Sequence, residues 1–135
     1  MKTVTSGARE TRDLGARIAG DAKEGDCFVL EGDLGAGKTE FVRGFVGSLA
    51  KTASVKSPSF AILNIYKTDR FPVYHFDFYR LCDASELFEI GFEEYISGNG
   101  VCLIEWGTMF PEVLPKGARV IRFRDIGSDK REIEQ

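Results

Sequence analysis

The sequence predicts an α/β fold, a three-layer sandwich of helices around a mixed, largely parallel sheet, and three observations lead to it. Two short runs, Cys27-Phe28-Val29-Leu30 and Val101-Cys102-Leu103-Ile104, are apolar throughout, as strands buried on both faces of a parallel sheet must be. Between and around them lie segments with apolar residues at three- and four-residue spacing, the mark of amphipathic helices. A glycine-rich turn joins the first apolar run to one of those helices. Helices alternating with buried strands make layers on both sides of one sheet.

The elements follow in order. Lys2 to Thr5 suits a short edge strand, and Ser6 is placed to cap a helix carrying Ala8, Thr11, Leu14, Ile18 and Ala22. Gly25 and Asp26 end that segment before the first apolar strand. A helix is expected from about Lys38 to Leu49, with Phe41, Phe45 and Leu49 on one stripe. Residues 51–57 read as a loop, and Phe60 to Tyr66 and Val73 to Phe78 as two strands. The short stretch Thr68–Pro72 between them predicts an antiparallel hairpin. Asp83, with Glu86 three residues on, resembles a capping box, and its helix should run to Ile90 and stop at Gly91. The second apolar run follows, and Ala118 to Phe123 is the expected last strand.

The 135 residues fit one compact domain, 1–135, with no repeat, low-complexity stretch or linker to divide it. A net charge of −3 argues against a basic nucleic-acid-binding surface. No apolar run approaches the roughly 18–20 residues that cross a bilayer, and residues 1–11 have no apolar core of a secretory signal. Cys27, Cys82 and Cys102 are an odd number without CxxC spacing, so neither a disulfide framework nor a cysteine metal site is expected, and a reducing cytoplasm is the expected compartment. Phe88, Phe92, Tyr95 and Phe110 are candidates for core before docking surface.

The turn itself carries chemistry. Gly32-Asp33-Leu34-Gly35-Ala36-Gly37-Lys38-Thr39 matches G-x-x-x-x-G-K-[ST] at every required position, between an apolar strand and an amphipathic helix as the mechanism demands. Its glycines let successive N–H groups turn inward on phosphate oxygens, and the following helix adds its positive end. Lys38 then reaches the β- and γ-phosphates, the Thr39 hydroxyl is placed for Mg²⁺, and Glu40 follows at the helix start. The fold is thus P-loop NTPase-like, and the cofactors expected are ATP and Mg²⁺.

A carboxylate is needed near the metal, and two residues end buried strands: Asp77 and Glu105. Parallel strands bring such ends to the edge where the phosphate loop lies, so either acid can serve. Strand alternation puts His75, Asp77 and, if the strand continues, Tyr79 on one face, with Tyr74, Phe76 and Phe78 on the other. Asp77 can orient water, and Arg80 can meet phosphate or pair with an acid. His75, the only histidine, suits a site role and an ordinary strand position equally. Ser57-Pro58-Ser59-Phe60 offers a hydroxyl of the kind that senses a γ-phosphate, and also reads as a turn before a strand. Trp106 suits the core or a cover over the site.

Taken in order, the phosphate loop with Phe41 and Arg43-Gly44, then Ser-Pro-Ser-Phe, Tyr-His-Phe-Asp-Phe-Tyr-Arg and Ile-Glu-Trp, resemble the TsaE (YjeE) family over nearly the whole chain. The resemblance implies a cytoplasmic Mg-dependent ATPase, slow alone, required for N6-threonylcarbamoyladenosine at position 37 of tRNA. Its implied partners are TsaB and TsaD, with tRNA met through the complex and no membrane. It further implies Thr39 and Glu105 as Mg²⁺ ligands, Asp77 as the acid important for hydrolysis, Trp106 as a mobile neighbour, and Lys38 with the loop amides as phosphate holders. Ser59 stands where the family usually has threonine. Family members contact the nucleotide near both chain ends, which points to Ser6 and Lys130 for adenine. Two other readings of the motif are a nucleotide-gated binding module and a small-molecule kinase. The small size leaves the kinase little room for an acceptor pocket and lid.

Overall fold

The computed structural model describes residues 1–33, 36–50 and 62–135. A seven-stranded sheet is built from β1 (Lys2–Ser6), β2 (Cys27–Glu31), β3 (Leu63–Tyr66), β4 (Val73–Asp77), β5 (Val101–Glu105), β6 (Arg119–Gly127) and β7 (Lys130–Glu134), in the order β1-β7-β6-β2-β5-β4-β3. The pairs β6–β2, β2–β5 and β5–β4 are parallel, while β1–β7, β7–β6 and β3–β4 are antiparallel. The expected mixed sheet is therefore parallel through its middle and antiparallel at both edges. The fully buried runs of β2 and β5 lie side by side there, with Cys27 opposite Cys102.

Strand alternation divides the core in two. Phe28, Leu30, Val73, Val101, Leu103, Ile121 and Phe123 face α1 (Ala8–Asp21) and α2 (Lys38–Leu49). Cys27, Phe76, Cys102 and Ile104 face α3 (Ser85–Glu89), α4 (Phe92–Ile96) and the short turns that follow β4 and β5. On that second side Phe92 packs edge-to-face on Phe76 at 5.1 Å and on Phe78 at 5.5 Å, which fixes α4 against the sheet. On the first side the two helices cross at glycines: a Cβ on Gly15 would overlap the Phe41 carbonyl oxygen, and one on Gly44 the carbonyl of Arg12. Backbone meets backbone, and α2 is held against α1 along the stretch that leads back to the phosphate loop. Among the described residues no helix is long and apolar enough to cross a membrane.

Three local expectations need correction. Ser6 belongs to β1 and does not cap α1; the N-cap is Gly7, and the Glu10 carboxylate accepts from the Ser6 N–H at 3.1 Å. Val73–Phe78 is a strand only to Asp77, whose carboxylate accepts the Tyr79 N–H and turns Phe78–Arg80 into a 3₁₀ turn, so Tyr79 leaves the strand face. Ala118 to Phe123 is not the last strand. It lies largely within β6, and a two-residue turn with Ser128 and Asp129 in the left-handed region returns the chain as β7. Phe92 is core and Tyr95 and Phe110 half-buried, whereas Phe88 is exposed. The loop expected over 51–57 and the start of the strand expected from Phe60 lie outside the described residues.

Candidate functional site

The parallel centre of the sheet delivers the C-terminal ends of β2, β5 and β4 to one edge. Asp77 and Glu105 end their strands as register partners, and Leu30 pairs with Glu105 on the other side. The chain leaves β2 through Gly32 and Asp33 and enters α2 at Gly37, whose φ of 106° is a left-handed conformation that glycine takes at no steric cost. The Ala36 N–H bonds back to the Asp33 carbonyl, and the first intrahelical bond runs from the Phe41 N–H to the Gly37 carbonyl at 2.9 Å. The N–H groups of the first turn, at Lys38, Thr39 and Glu40, are thus directed out of the helix end.

They open onto a cavity of about 520 Å³, within the ~300–1,000 Å³ usual for small-molecule sites. Gly37, Lys38, Thr39, Glu40 and Arg43 line one side, Glu105 another, and the start of α1 with the β6–β7 hairpin forms the opposite wall. That wall consists of Gly7, Ala8, Thr11, Asp129 and Arg131. The Gly7 N–H bonds to the Asp129 carbonyl at 2.8 Å, so the α1 N-terminus and the hairpin turn are tied together. Ser6 and Lys130 are register partners one residue away on each side and do not line the cavity; their neighbours do.

Lys38 is almost fully buried. Its ammonium donates to the Gly32 carbonyl at 2.5 Å and lies over the Trp106 ring, 4.3 Å from the centroid. Burial pushes its pKa down, against the opposing pull of the Glu105, Asp77, Asp33 and Glu31 carboxylates. The cation is held by weak substitutes for an anion. Trp106 itself has φ 61°, an unfavourable conformation for a bulky residue, and packs on Tyr79 at 5.1 Å. Strain of this kind is concentrated where a side chain must be aimed.

The acids differ in their surroundings. Asp77 is half-buried, and burial raises its pKa; the Tyr79 N–H opposes the rise and Glu105 adds to it. Arg80, exposed on the 3₁₀ turn, lowers it through its charge. Glu105 is buried, and its Oε2 lies 2.6 Å from Nε2 of the fully buried His75. Glu40 is gripped by Arg12 of α1 at 2.6 Å and Arg43 of its own helix at 2.5 Å, so its carboxylate braces the two helices together. Leu34, Gly35 and Ser59 lie outside the described residues.

Among the described residues no three histidine, cysteine or carboxylate side chains converge as a metal cage. Of the side-chain oxygens lining the cavity, Glu40 is taken up by Arg12 and Arg43, Thr11 by Thr5 and the Gly7 carbonyl, and Asp129 lies on the opposite wall. That leaves the Thr39 hydroxyl and the Glu105 carboxylate, both hard oxygens, beside the phosphate loop. Few protein oxygens, completed by phosphate and water, is the set that suits Mg²⁺ on a nucleotide. Cys27 and Cys102 take no part: burial first, and then Asp26 for Cys27 and Cys27 for Cys102, push each thiol up to about 12.

The model of one protein family, the threonylcarbamoyl adenosine biosynthesis protein TsaE, matches residues 5–133. The chain is similar to the tRNA threonylcarbamoyladenosine biosynthesis protein TsaE of Bacillus subtilis, 44% identical over 98% of this chain and 83% of that one. It is 38% identical to the protein of the same name from Treponema pallidum, over 98% of each chain. The crystal structure of Bacillus subtilis YdiB superposes with a TM-score of 0.81 at 38% identity, covering 98% of this chain and 82% of that one. The match thus spans the phosphate loop, the paired strand-end acids and the closing hairpin alike, and the chain belongs to the TsaE family of P-loop nucleotide-binding proteins.

Proposed function

We propose that this protein is an ATPase that binds Mg-ATP in the α1–α2 cavity and serves N6-threonylcarbamoyladenosine formation at position 37 of tRNA. The observation that carries the reading is the convergence of buried Lys38, the free end of α2, Thr39 and Glu105 on one cavity. The names of the relatives supply the biological process. TsaB and TsaD are the protein partners in this reading, tRNA is met through their complex, and the cytoplasm is the place of action. The net charge of −3 agrees with an indirect role toward RNA.

In this mechanism the triphosphate displaces the Gly32 carbonyl and the Trp106 ring as partners of Lys38. The N–H groups of Lys38, Thr39 and Glu40 then meet phosphate oxygens at the positive end of α2. Thr39 and Glu105 would hold a Mg²⁺, which would supply charge neutralisation to the phosphates. Water attacks the γ-phosphorus in line as the bond to the bridging oxygen of ADP breaks. Asp77 stands beside Glu105 at the strand ends, and its raised pKa suits a carboxylate that orients this water and takes up its proton. The whole set acts by positioning and charge stabilisation.

A second reading, a nucleotide-gated docking module, draws support from Trp106. Its ring caps Lys38 and packs at a tilt on exposed Tyr79, so drawing Lys38 onto phosphate alters the surface around both rings. Phosphate release from Mg-ATP, by the protein alone and with TsaB, TsaD and tRNA, separates the two. Marked stimulation by the partners is expected for the ATPase; tight nucleotide binding with no stimulation would favour the gate.

Asp77 allows a sharper test. Asp77→Asn keeps an oxygen for the Tyr79 N–H and is expected to bind Mg-ATP normally while single-turnover hydrolysis falls about 100-fold. Because the folded state raises this pKa above 3.8, the native protein holds the proton more tightly than the unfolded chain. Stability therefore falls as pH rises from 3.8 through the folded value. The Asn variant should match wild type below pH 3.8 and exceed it at neutral pH. A few tenths of a kcal/mol are expected, since the carboxyl is half-exposed and screened. Denaturant titration across pH measures the difference.

A further inference from the structure

His75 is the only histidine of the chain, fully buried in β4, and only one of its two ring nitrogens is engaged among the described residues. Nδ1 is buried and has no hydrogen-bond partner among the described residues. Nε2 lies 2.6 Å from Glu105 Oε2. Unsatisfied buried polar atoms are rare in folded proteins and disfavour the fold that carries them. An apolar side chain would fill the same space between Tyr66 and the neighbouring strand with no such penalty. What the imidazole adds is a single N–H directed at one oxygen of Glu105. A carboxylate only accepts, so Nε2 carries the proton and Nδ1 is the nitrogen left over.

Register explains why the donor has to come from here. Glu105 ends β5 beside Asp77, and His75 precedes Asp77 by two residues on the same strand face, one step deeper in the sheet. Its ring therefore reaches Glu105 from below while the cavity lies above. We infer that His75 is a positioning residue: it pins Oε2 of Glu105 and keeps the carboxylate turned to the cavity, so that Oε1 is the oxygen offered to a divalent cation. The inference rests on the reading of Glu105 as a Mg²⁺ ligand. Partners of this kind fix ligand orientation in metal sites, and losing one typically lowers metal affinity about 10–100-fold.

The test compares ATP affinity with Mg²⁺ and with EDTA, by calorimetry, in wild type, His75→Phe, His75→Gln, His75→Asn and Glu105→Gln. The Gln amide nitrogen is as far from Cα, in bonds, as Nε2, whereas the Asn nitrogen falls short. His75→Phe and His75→Asn are expected to lose about tenfold of the Mg²⁺-dependent gain with EDTA affinity kept, and His75→Gln to recover most of it. A His75→Phe protein with the full Mg²⁺ gain, beside a Glu105→Gln protein that has lost it, overturns the positioning role alone. If Glu105→Gln keeps the gain, the ligand assignment fails and this inference with it. Should the variants not fold, ¹⁵N-histidine spectra of the wild-type protein decide, since one histidine gives one unambiguous signal. A proton on Nε2 is expected; a ring without the proton on Nε2 overturns the inference.

Discussion

Lys38→Met is expected to lower Mg-ATP affinity about 100-fold while leaving the fold as stable as before or more so. The two halves have one cause. Lys38 is buried, its direct contacts among the described residues are the Gly32 carbonyl and the Trp106 ring, and burial depresses its pKa despite the pull of the Glu105, Asp77, Asp33 and Glu31 carboxylates. The cation is therefore disfavoured in the nucleotide-free protein, and a methionine of similar length fills the place without a charge to desolvate. With ATP the balance reverses, because hydrogen bonds between an ammonium and phosphate are worth about 1.5–3 kcal/mol each. Losing about 2.7 kcal/mol corresponds to the 100-fold fall. Calorimetry measures the affinity and thermal unfolding the stability; unchanged affinity would sink the P-loop assignment. A pH signature accompanies it. The folded pKa of Lys38 lies below 10.5, so the unfolded chain binds the proton more tightly. Wild type should then gain stability on the Met variant as pH rises from the folded value to 10.5.

Gly44→Ala is expected to cost about 2–3 kcal/mol, near 10 °C in melting temperature for a chain of this size. Alanine is the better helix former, so propensity alone predicts a gain of about 0.5–1 kcal/mol. Geometry decides the sign. The new methyl would overlap the carbonyl of Arg12, a backbone group that cannot rotate aside, and α1 and α2 would have to separate. One turn on, a methyl on Gly47 would meet nothing within 4 Å, and Gly47→Ala should stabilise by that propensity gain. The opposite signs of two identical substitutions in one helix are the check. Because α1 and α2 form facing walls of the cavity, the Gly44 variant should also bind Mg-ATP more weakly at temperatures where it remains folded. Equal stability in the two variants would show that the crossing tolerates more than its geometry implies.

Much of this fold is legible in the sequence. The apolar runs of β2 and β5, the stripe of α2 and the hairpin of β3 and β4 follow from periodicity strong enough to override alternatives. Two elements are not. The helix Phe92–Ile96 is too short to show a repeat, and its placement against the sheet comes from Phe76 and Phe78. The hairpin β6–β7 has few apolar residues that reach the core, Ile121 and Phe123 on one strand and Ile133 on the other, amid arginines and glutamates. Its signal is present in Gly127-Ser128-Asp129, turn residues between two alternating segments.

The site divides the same way. Residues contiguous in the motif, Gly32 to Thr39, can be read directly, although Leu34 and Gly35 lie outside the described residues. The opposite wall, Gly7, Thr11, Asp129 and Arg131, is assembled from both ends of the chain by the β1–β7 register, which no local pattern encodes. Ser6 and Lys130 belong to the right strands, yet the cavity is lined by the residues beside them. Alternation puts His75 and Asp77 on one face, but the bond to Glu105 depends on how β4 and β5 are staggered.

The strand order also governs when the protein can take shape during synthesis. The strand that leads into the phosphate loop, β2, is flanked in the sheet by β5 and β6, and both belong to the last third of the chain. Until the ribosome has released them, Cys27–Leu30 is an apolar strand with both edges open. Contacts between residues so distant along the chain close slowly, and open edges of this composition invite pairing with other chains. The nascent protein thus exposes this apolar strand until β5 and β6 have been made, and the site becomes whole only after the β6–β7 hairpin has turned back on β1.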